Sequence, residues 1–252
     1  MPASLRSPVN ARKSAEDTRT CLPPGHCPAL GPHLAVLSAG VSQRLRSAFR
    51  AQITAAGGNR ILPHVSAPPA TPLVLASTSP QRRAILEQLR IPFEVVAPSY
   101  VEHGDDPLEH AAGKARSIDG GHRPVLGVDT IVVLERDVLG KPRDASEAEA
   151  MLERLGGSTH EVVSGLCLRT EAWEELHREV TRVTFRPLTP RDLAHYMSTD
   201  EWEGRAGAYA IQGLGASLVE RIEGDYLNVV GLPAALLVRL LAERFAGTYG
   251  FG

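Results

Sequence analysis

The sequence predicts an α/β domain over residues 73–252. Short apolar runs alternate with helical patterns from Leu73 onward, which is typical of this fold class. The chain has 252 residues, of which 43% are hydrophobic and 22% are charged, close to the average for globular domains. This composition excludes collagen, coiled-coil and wholly disordered proteins. No apolar run reaches the roughly 18 residues that a transmembrane helix needs.

Residues 1–72 differ from the rest of the chain in charge and proline content. They hold eight basic and two acidic side chains, ten of the 19 prolines and a single aromatic residue, Phe49. Such a segment buries too little apolar surface to offset its ordering entropy, so we expect a disordered or spurious N-terminal extension. An Arg-rich, acid-poor segment is also typical of an organelle transit peptide. Cys21 and Cys27 with His26 form too small a cluster to predict a metal site.

The predicted domain begins with a strand-to-helix turn. Leu73–Ala76 reads as a short buried strand, and Ser79 as N-cap with Pro80 in the first turn predicts a helix after it. Arg82 lies three residues before the apolar Ile85, which places it on the inward side of that helix. The free N–H groups at a helix start attract anions, so we expect Arg82 to bind phosphate there.

The remaining elements follow in order along the chain. Strands are predicted at residues 95–97, 125–134, 162–168, 180–185 and 216–222, and helices at 146–155, 190–197 and 233–245. Ser146 is the predicted cap of the first of these helices, which ends at two glycines. The segment between the strands at 95–97 and 125–134 carries no predicted helix.

Asp129 and Thr130 place polar groups inside the long apolar strand 125–134. A carboxylate in a buried strand costs several kcal/mol unless it is paired, hydrogen-bonded or bound to a metal. An aspartate that caps a neighbouring turn is the structural alternative. A carboxylate that faces a pocket at a strand end is a better match for a metal ligand or a general base.

Three charged residues and one glycine-rich segment are further polar positions. Glu102, Lys114 and Lys141 fall in predicted loops, where each taken alone is an ordinary surface charge. Glycines in residues 206–215 allow close approach of the backbone. Gln212 in that segment offers both a donor and an acceptor to the edge of a base.

Four segments together resemble one known family in order and spacing. They are Leu75–Arg83, Leu126–Val133, Leu139–Arg143 and Ala206–Gly213. Over about residues 73–245 the chain is similar to Maf-like nucleoside triphosphate pyrophosphatases, and nothing before residue 72 matches. The resemblance implies a mixed twisted sheet with flanking helices and two lobes around a deep nucleotide cleft. It also implies hydrolysis of a nucleoside triphosphate to the monophosphate and pyrophosphate with Mg²⁺ or Mn²⁺.

The resemblance also implies the roles of individual residues. Asp129 matches the proton acceptor of the family, and Glu102 an acidic residue near the metal. The phosphate-binding positions are matched by Ser77, Arg82, Lys114 and Lys141. The base-selecting positions are matched by Gln81, Thr130 and Gln212. A branch acting on dTTP and UTP carries Arg, Thr and Gln at these three positions, whereas a branch acting on 7-methyl-GTP carries Trp, Gln and Glu.

The resemblance implies a cytoplasmic enzyme that often forms a homodimer. Residues 73–252 carry a net charge of −8 and only four phenylalanines, so we expect no stable contact with nucleic acid or a membrane. The chain has neither a Walker loop nor a G-x-G-x-x-G fingerprint, which argues against a kinase or a dehydrogenase. A non-enzymatic nucleotide- or nucleic-acid-binding regulator of septum formation is the alternative, because the family is named for that effect.

Overall fold

The computed structural model describes residues 71–252 of the chain. The predicted N-terminal extension, apart from its last two residues, and the Cys21–Cys27 cluster lie outside the described residues. The described part is a mixed α/β fold around one seven-stranded sheet, which confirms the predicted fold class. None of its helices has the length and apolar character needed to cross a membrane.

The sheet is parallel on one side and antiparallel on the other. Its strands are β1 (Leu73–Ala76), β2 (Phe93–Val95), β3 (Val125–Leu134), β4 (Asp137–Leu139), β5 (Thr159–Arg169), β6 (Glu174–Phe185) and β7 (Val219–Glu223). The order is β2-β1-β3-β5-β6-β7, with the short β4 paired to β3. β1 runs parallel to β2 and β3, whereas all the other pairs are antiparallel.

Helices cover both faces of the parallel part. They are α1 (Pro80–Gln88), α2 (Pro107–Arg116), α3 (Ala145–Leu155), α4 (Pro190–Met197), α5 (Tyr226–Val230) and α6 (Ala234–Phe245), with 3₁₀ segments at Ala206–Ala208 and Gly213–Leu218. Alternate residues of β1 face opposite sides. Leu73 and Leu75 pack with α1 and α6, whereas Val74 and Ala76 pack with α2.

The predicted start of α1 is confirmed, but several other predicted elements differ in their bounds. β5 and β6 begin three and six residues before the predicted strands, at Thr159 and Glu174. β2 begins two residues before the predicted strand. Asp144 caps α3 instead of Ser146, because its carboxylate accepts the Glu147 N–H at 2.9 Å. Residues 213–218 form a 3₁₀ helix that precedes β7, where a continuous strand was predicted.

α2 was not predicted, although a local cap marks its start. The carboxylate of Asp106 accepts the Leu108 N–H at 3.1 Å, and Pro107 occupies the first turn. The helix contacts the sheet through alanines such as Ala111 and Ala115 rather than through large aliphatic side chains. A stripe of small residues gives little hydrophobic periodicity, which is why the helical pattern is weak in the sequence.

Three clusters of buried side chains form two lobes that share β3 and β5. The first lobe contains α1, α2 and α6, and its core includes Leu75, Leu86, Leu126, Leu166 and Leu237. The second lobe contains α3 and α4, and its core includes Val132, Leu152, Val183, Phe185 and Tyr196. A cleft of about 850 Å³ is lined by residues of both lobes. The predicted two-lobed architecture is therefore confirmed.

Candidate active site

Ser77 and Arg82 form one wall of the cleft where β1 meets α1. The buried Ser77 hydroxyl accepts hydrogen bonds from Ser79 N–H at 3.2 Å and from Arg82 Nη1 at 3.0 Å. Arg82 Nε donates to the Gly231 carbonyl at 3.0 Å. Burial lowers the pKa of Arg82, while the negative charge of Asp129 raises it, and a guanidinium remains protonated in either case. The predicted inward direction of Arg82 is therefore confirmed.

Asp129 lies in a compact charged cluster with a lysine and a second acid. Asp129 is only 8% exposed. Its Oδ1 accepts a hydrogen bond from Lys114 Nζ at 2.6 Å. The same Nζ lies 2.5 Å from Glu102 Oε1. The lysine thus neutralises part of the charge of both carboxylates. Lys114 is a buried residue of α2, so its predicted place in a loop was wrong.

Two glycines allow α2 to lie directly on the sheet beside Asp129. A Cβ atom on Gly127 would collide with the Ala111 carbonyl of α2, and one on Gly165 with the Pro107 carbonyl. Gly165 is the partner of Asp129 in the β3–β5 register. The absence of both side chains therefore brings the inward side chains of α2 within reach of the carboxylate.

His110 is a cluster residue that the sequence reasoning missed. It precedes Lys114 by one helical turn and is 4% exposed. Its Nδ1 lies 3.4 Å from Asp129 Oδ2, and its Nε2 lies 3.1 Å from the His103 carbonyl oxygen. Oxygen and nitrogen atoms of Glu102, His110 and Asp129 lie within 4.8 Å of one another. This donor set fits a divalent cation. Once α2 is recognised as a helix, the i, i+4 spacing of His110 and Lys114 places both side chains on one face, and this spacing is the sequence signal for His110.

Thr130 faces the opposite side of β3 from Asp129, as neighbours on a strand do. Its hydroxyl lies 2.8 Å from Ser164 Oγ on the adjacent strand and 3.4 Å from the Gly231 carbonyl. Arg82 Nη2 donates to the same hydroxyl at 3.4 Å. These contacts fix Thr130 beside the start of α1.

The three remaining predicted site residues are more exposed. Gln81 is the second residue of α1, and its Oε1 accepts a hydrogen bond from Ser79 Oγ at 3.0 Å. Gln212 is exposed immediately before the 3₁₀ segment Gly213–Leu218. Lys141 is exposed just after β4. All nine residues predicted for the site line the same cleft.

Glu201 is a second cleft residue that the sequence reasoning missed. Its two carboxylate oxygens accept from the N–H groups of Leu214 at 3.0 Å and Gly215 at 3.2 Å. Gly213 has a φ of +77°, and a Cβ there would meet the Glu201 carboxylate. Glu201 therefore fixes the backbone that follows Gln212. Because these bonds span more than ten residues of an irregular segment, no local pattern marks them.

Taken together, the fold and cleft define an α/β protein with cationic side chains next to a carboxylate cluster. A sequence profile of the family described as "Maf-like protein" matches residues 72–244. The chain belongs to the Maf family.

Curated relatives cover most of the described part of the chain. A protein of Nitratidesulfovibrio vulgaris named "dTTP/UTP pyrophosphatase" is 46% identical over an alignment of 188 residues, which covers 70% of this chain and 90% of the relative. Relatives with the same name in Deinococcus radiodurans and Pyrococcus furiosus are each 43% identical. They cover 71% and 67% of this chain and 95% and 93% of their own length.

Proposed function

We propose that this protein is a nucleoside triphosphate pyrophosphatase that prefers UTP and dTTP. The reaction converts the triphosphate to the nucleoside monophosphate and pyrophosphate. The observation that carries the proposal is the contact of Lys114 with both Asp129 and Glu102, beside Arg82, in one cleft. The names of the relatives at 43–46% identity support it.

The triphosphate tail would bind to the cationic side chains of the cleft. At neutral pH the tail carries close to four negative charges. Arg82 offers a rigid guanidinium held by Ser77 and Gly231, and Lys141 offers an exposed ammonium without a carboxylate partner among residues 71–252. The N–H groups at the start of α1 add partial positive charge.

Asp129 would accept the proton of the water molecule that attacks the α-phosphorus. Lys114 Nζ binds Oδ1, so Oδ2 is the oxygen that remains to take the proton or contact a metal. A divalent cation held by Asp129 and Glu102 supplies, when bound, positive charge for the leaving pyrophosphate. The described residues that line the cleft include no cysteine, and Ser77 is bonded to Arg82 rather than to a histidine. These features favour direct hydrolysis over a covalent intermediate.

Three separate side chains would select the base. Thr130 and Gln212 each offer a donor and an acceptor, which suits the acceptor–donor–acceptor edge of uracil or thymine. Gln81 stands where the pyrimidine branch has arginine, so one cationic stacking surface is missing. We therefore expect a pyrimidine preference with a broader range, including non-standard nucleotides.

The remaining properties in this proposal follow from the family. We propose that the enzyme acts in the cytoplasm, uses Mg²⁺ or Mn²⁺, and forms a homodimer. We propose no stable contact with nucleic acid or a membrane, because residues 73–252 carry a net charge of −8. Light scattering behind a sizing column measures the dimer directly, and a monomeric mass would contradict that part of the proposal.

A panel of nucleoside triphosphates with Mg²⁺ or Mn²⁺ tests the proposal. We expect release of pyrophosphate, with the highest kcat/KM for UTP or dTTP. The highest kcat/KM for a purine triphosphate or 7-methyl-GTP would overturn the base assignment. Nucleotide binding without pyrophosphate release would instead indicate the non-enzymatic regulator.

A further inference from the structure

The main-chain oxygen of His103 determines which nitrogen of His110 carries a proton. His110 Nε2 lies 3.1 Å from that oxygen. A carbonyl oxygen only accepts hydrogen bonds, so Nε2 must be the donor. In the neutral imidazole the other nitrogen, Nδ1, then carries a lone pair.

That lone pair faces Oδ2 of Asp129, and a carboxylate oxygen also only accepts hydrogen bonds. Nδ1 lies 3.4 Å from Oδ2 of Asp129, and an ionised carboxylate has no proton to donate. Both residues are at most 8% exposed, so solvent screens their repulsion weakly. Positive charge at this point removes the repulsion, either as a proton on Nδ1 or as a metal ion between Nδ1 and Oδ2. Lys114 cannot supply that charge, because its Nζ binds the other oxygen, Oδ1.

The distance between the two atoms matches two ligands of one metal ion. Ligand atoms about 2.1 Å from an ion, in tetrahedral or octahedral arrangement, lie about 3.0–3.4 Å apart. The Nδ1–Oδ2 distance of 3.4 Å falls at the upper end of that range. The third donor is Glu102, which has one oxygen on Lys114 and a second oxygen left for the ion.

We propose that His110 is a nitrogen ligand of the divalent metal, through Nδ1, together with Asp129 Oδ2 and the Glu102 carboxylate. This inference deepens the proposed function and rests on it for the identity of the site. The proposed function names only Glu102 and Asp129 as metal ligands, and this inference adds His110 as a third. Oδ1 of Asp129 then contacts Lys114, while Oδ2 contacts the metal through one lone pair and keeps the other for the proton of the attacking water.

An imidazole ligand changes which metal the site prefers. Mg²⁺ favours a shell of oxygen ligands, whereas Mn²⁺ accepts nitrogen more readily. The site is therefore expected to bind Mn²⁺ more tightly than Mg²⁺. Replacement of His110 by an apolar residue removes the nitrogen ligand and leaves the two carboxylates. The difference between Mn²⁺ and Mg²⁺ affinity should therefore become smaller.

The test is pulsed electron paramagnetic resonance on the full chain with bound Mn²⁺ and no nucleotide. We expect modulation from a directly bound imidazole nitrogen in the unaltered protein. The modulation should be lost in His110→Leu and in His110→Gln. It should persist in the control His103→Gln, which changes an exposed neighbouring imidazole but leaves the main-chain oxygen in place.

Titration calorimetry on the same proteins gives a second readout. Mn²⁺ affinity should fall about tenfold or more in His110→Leu, and Mg²⁺ affinity should fall less. Absence of nitrogen modulation in the unaltered protein would overturn the inference, and this outcome does not depend on whether a variant folds. Modulation that persists in both His110 variants would also overturn it.

These outcomes separate the inference from the proposed function. Pyrophosphate release from UTP without nitrogen modulation would reject His110 as a ligand and leave the pyrophosphatase intact. Nitrogen modulation without hydrolysis of any nucleotide would reject the proposed function and leave the metal ligand in place.

Discussion

The cleft contains two groups of side chains with proposed functions, and the groups differ in how they are held. The acid–lysine cluster consists of Glu102, His110, Lys114 and Asp129. Its members contact one another, at distances down to 2.5 Å, and three of the four are buried. The second group, which we propose to select the base and call the base-selecting group, consists of Gln81, Thr130 and Gln212. Gln81 and Thr130 bond to neighbouring residues, and among the hydrogen bonds of residues 71–252 none joins one member to another.

This difference predicts how substitutions divide between rate and selectivity. A change in a mutually bonded, buried cluster alters several electrostatic interactions at once, so it should affect turnover. A change in a separately held, accessible side chain should alter the contact with the base and little else. Each experiment below tests one side of that division.

The largest effect is expected for Asp129→Asn. The substitution removes the proposed proton acceptor and a proposed metal-binding charge, so kcat should fall roughly 100-fold or more. The fold should survive, because Lys114 keeps its contact with Glu102. The ratio of UTP to GTP turnover, measured at high enzyme concentration, should stay the same.

The matched control for Asp129→Asn is Asp137→Asn. Asp137 is an exposed carboxylate on β4 that pairs with Arg154 outside the cleft. Its replacement should leave kcat unchanged. Normal turnover in Asp129→Asn would show that the buried carboxylate is structural.

A smaller loss is expected when the approach of α2 to the sheet is disturbed. The new methyl group of Gly165→Ala would meet the Pro107 carbonyl, so α2 must shift away from β5. We expect the free energy of unfolding to fall by about 1–3 kcal/mol and kcat to fall with it. Chemical denaturation of Gly140→Ala, where the added Cβ meets open space, provides the stability control. Equal stability of the two variants would contradict the close packing.

Some features of the fold and the cleft could be predicted from the sequence, and others could not. The start of α1 was predicted because Ser79 and Pro80 are local signals within one turn. α2, which carries His110 and the predicted site residue Lys114, was missed because it packs through small residues against glycines of two distant strands. Glu201 was missed because its role depends on backbone N–H groups more than ten residues away. Local hydrogen bonding is visible in a sequence, whereas a close approach between elements is not.

Substitutions in the base-selecting group should change the preference between UTP and GTP more than they change the rate of hydrolysis. Gln81→Arg restores the cation of the pyrimidine branch, so the kcat/KM ratio of UTP to GTP should rise about threefold to tenfold. Gln212→Glu should lower that ratio, because a carboxylate cannot donate to an acceptor of the base. The control Gln88→Arg adds the same charge at an exposed position of α1 outside the cleft. An equal rise in the control would show a general charge effect.

The smallest effect is expected from removal of residues 1–70. All members of both groups lie between residues 81 and 212, and we propose that the segment before Thr71 contributes to neither. A chain that begins at Thr71 should keep its kcat/KM within about twofold and its thermal midpoint within about 2 °C. A larger loss of either property would make the segment part of the functional protein.

The central claim is that the acid–lysine cluster directs water to the α-phosphorus, and isotope labelling tests it most directly. The enzyme is incubated with UTP in H₂¹⁸O, and the products are separated and analysed by mass spectrometry. Attack at the α-phosphorus predicts one labelled oxygen in UMP and none in pyrophosphate. Label in pyrophosphate, or formation of UDP and labelled orthophosphate, would contradict the claim.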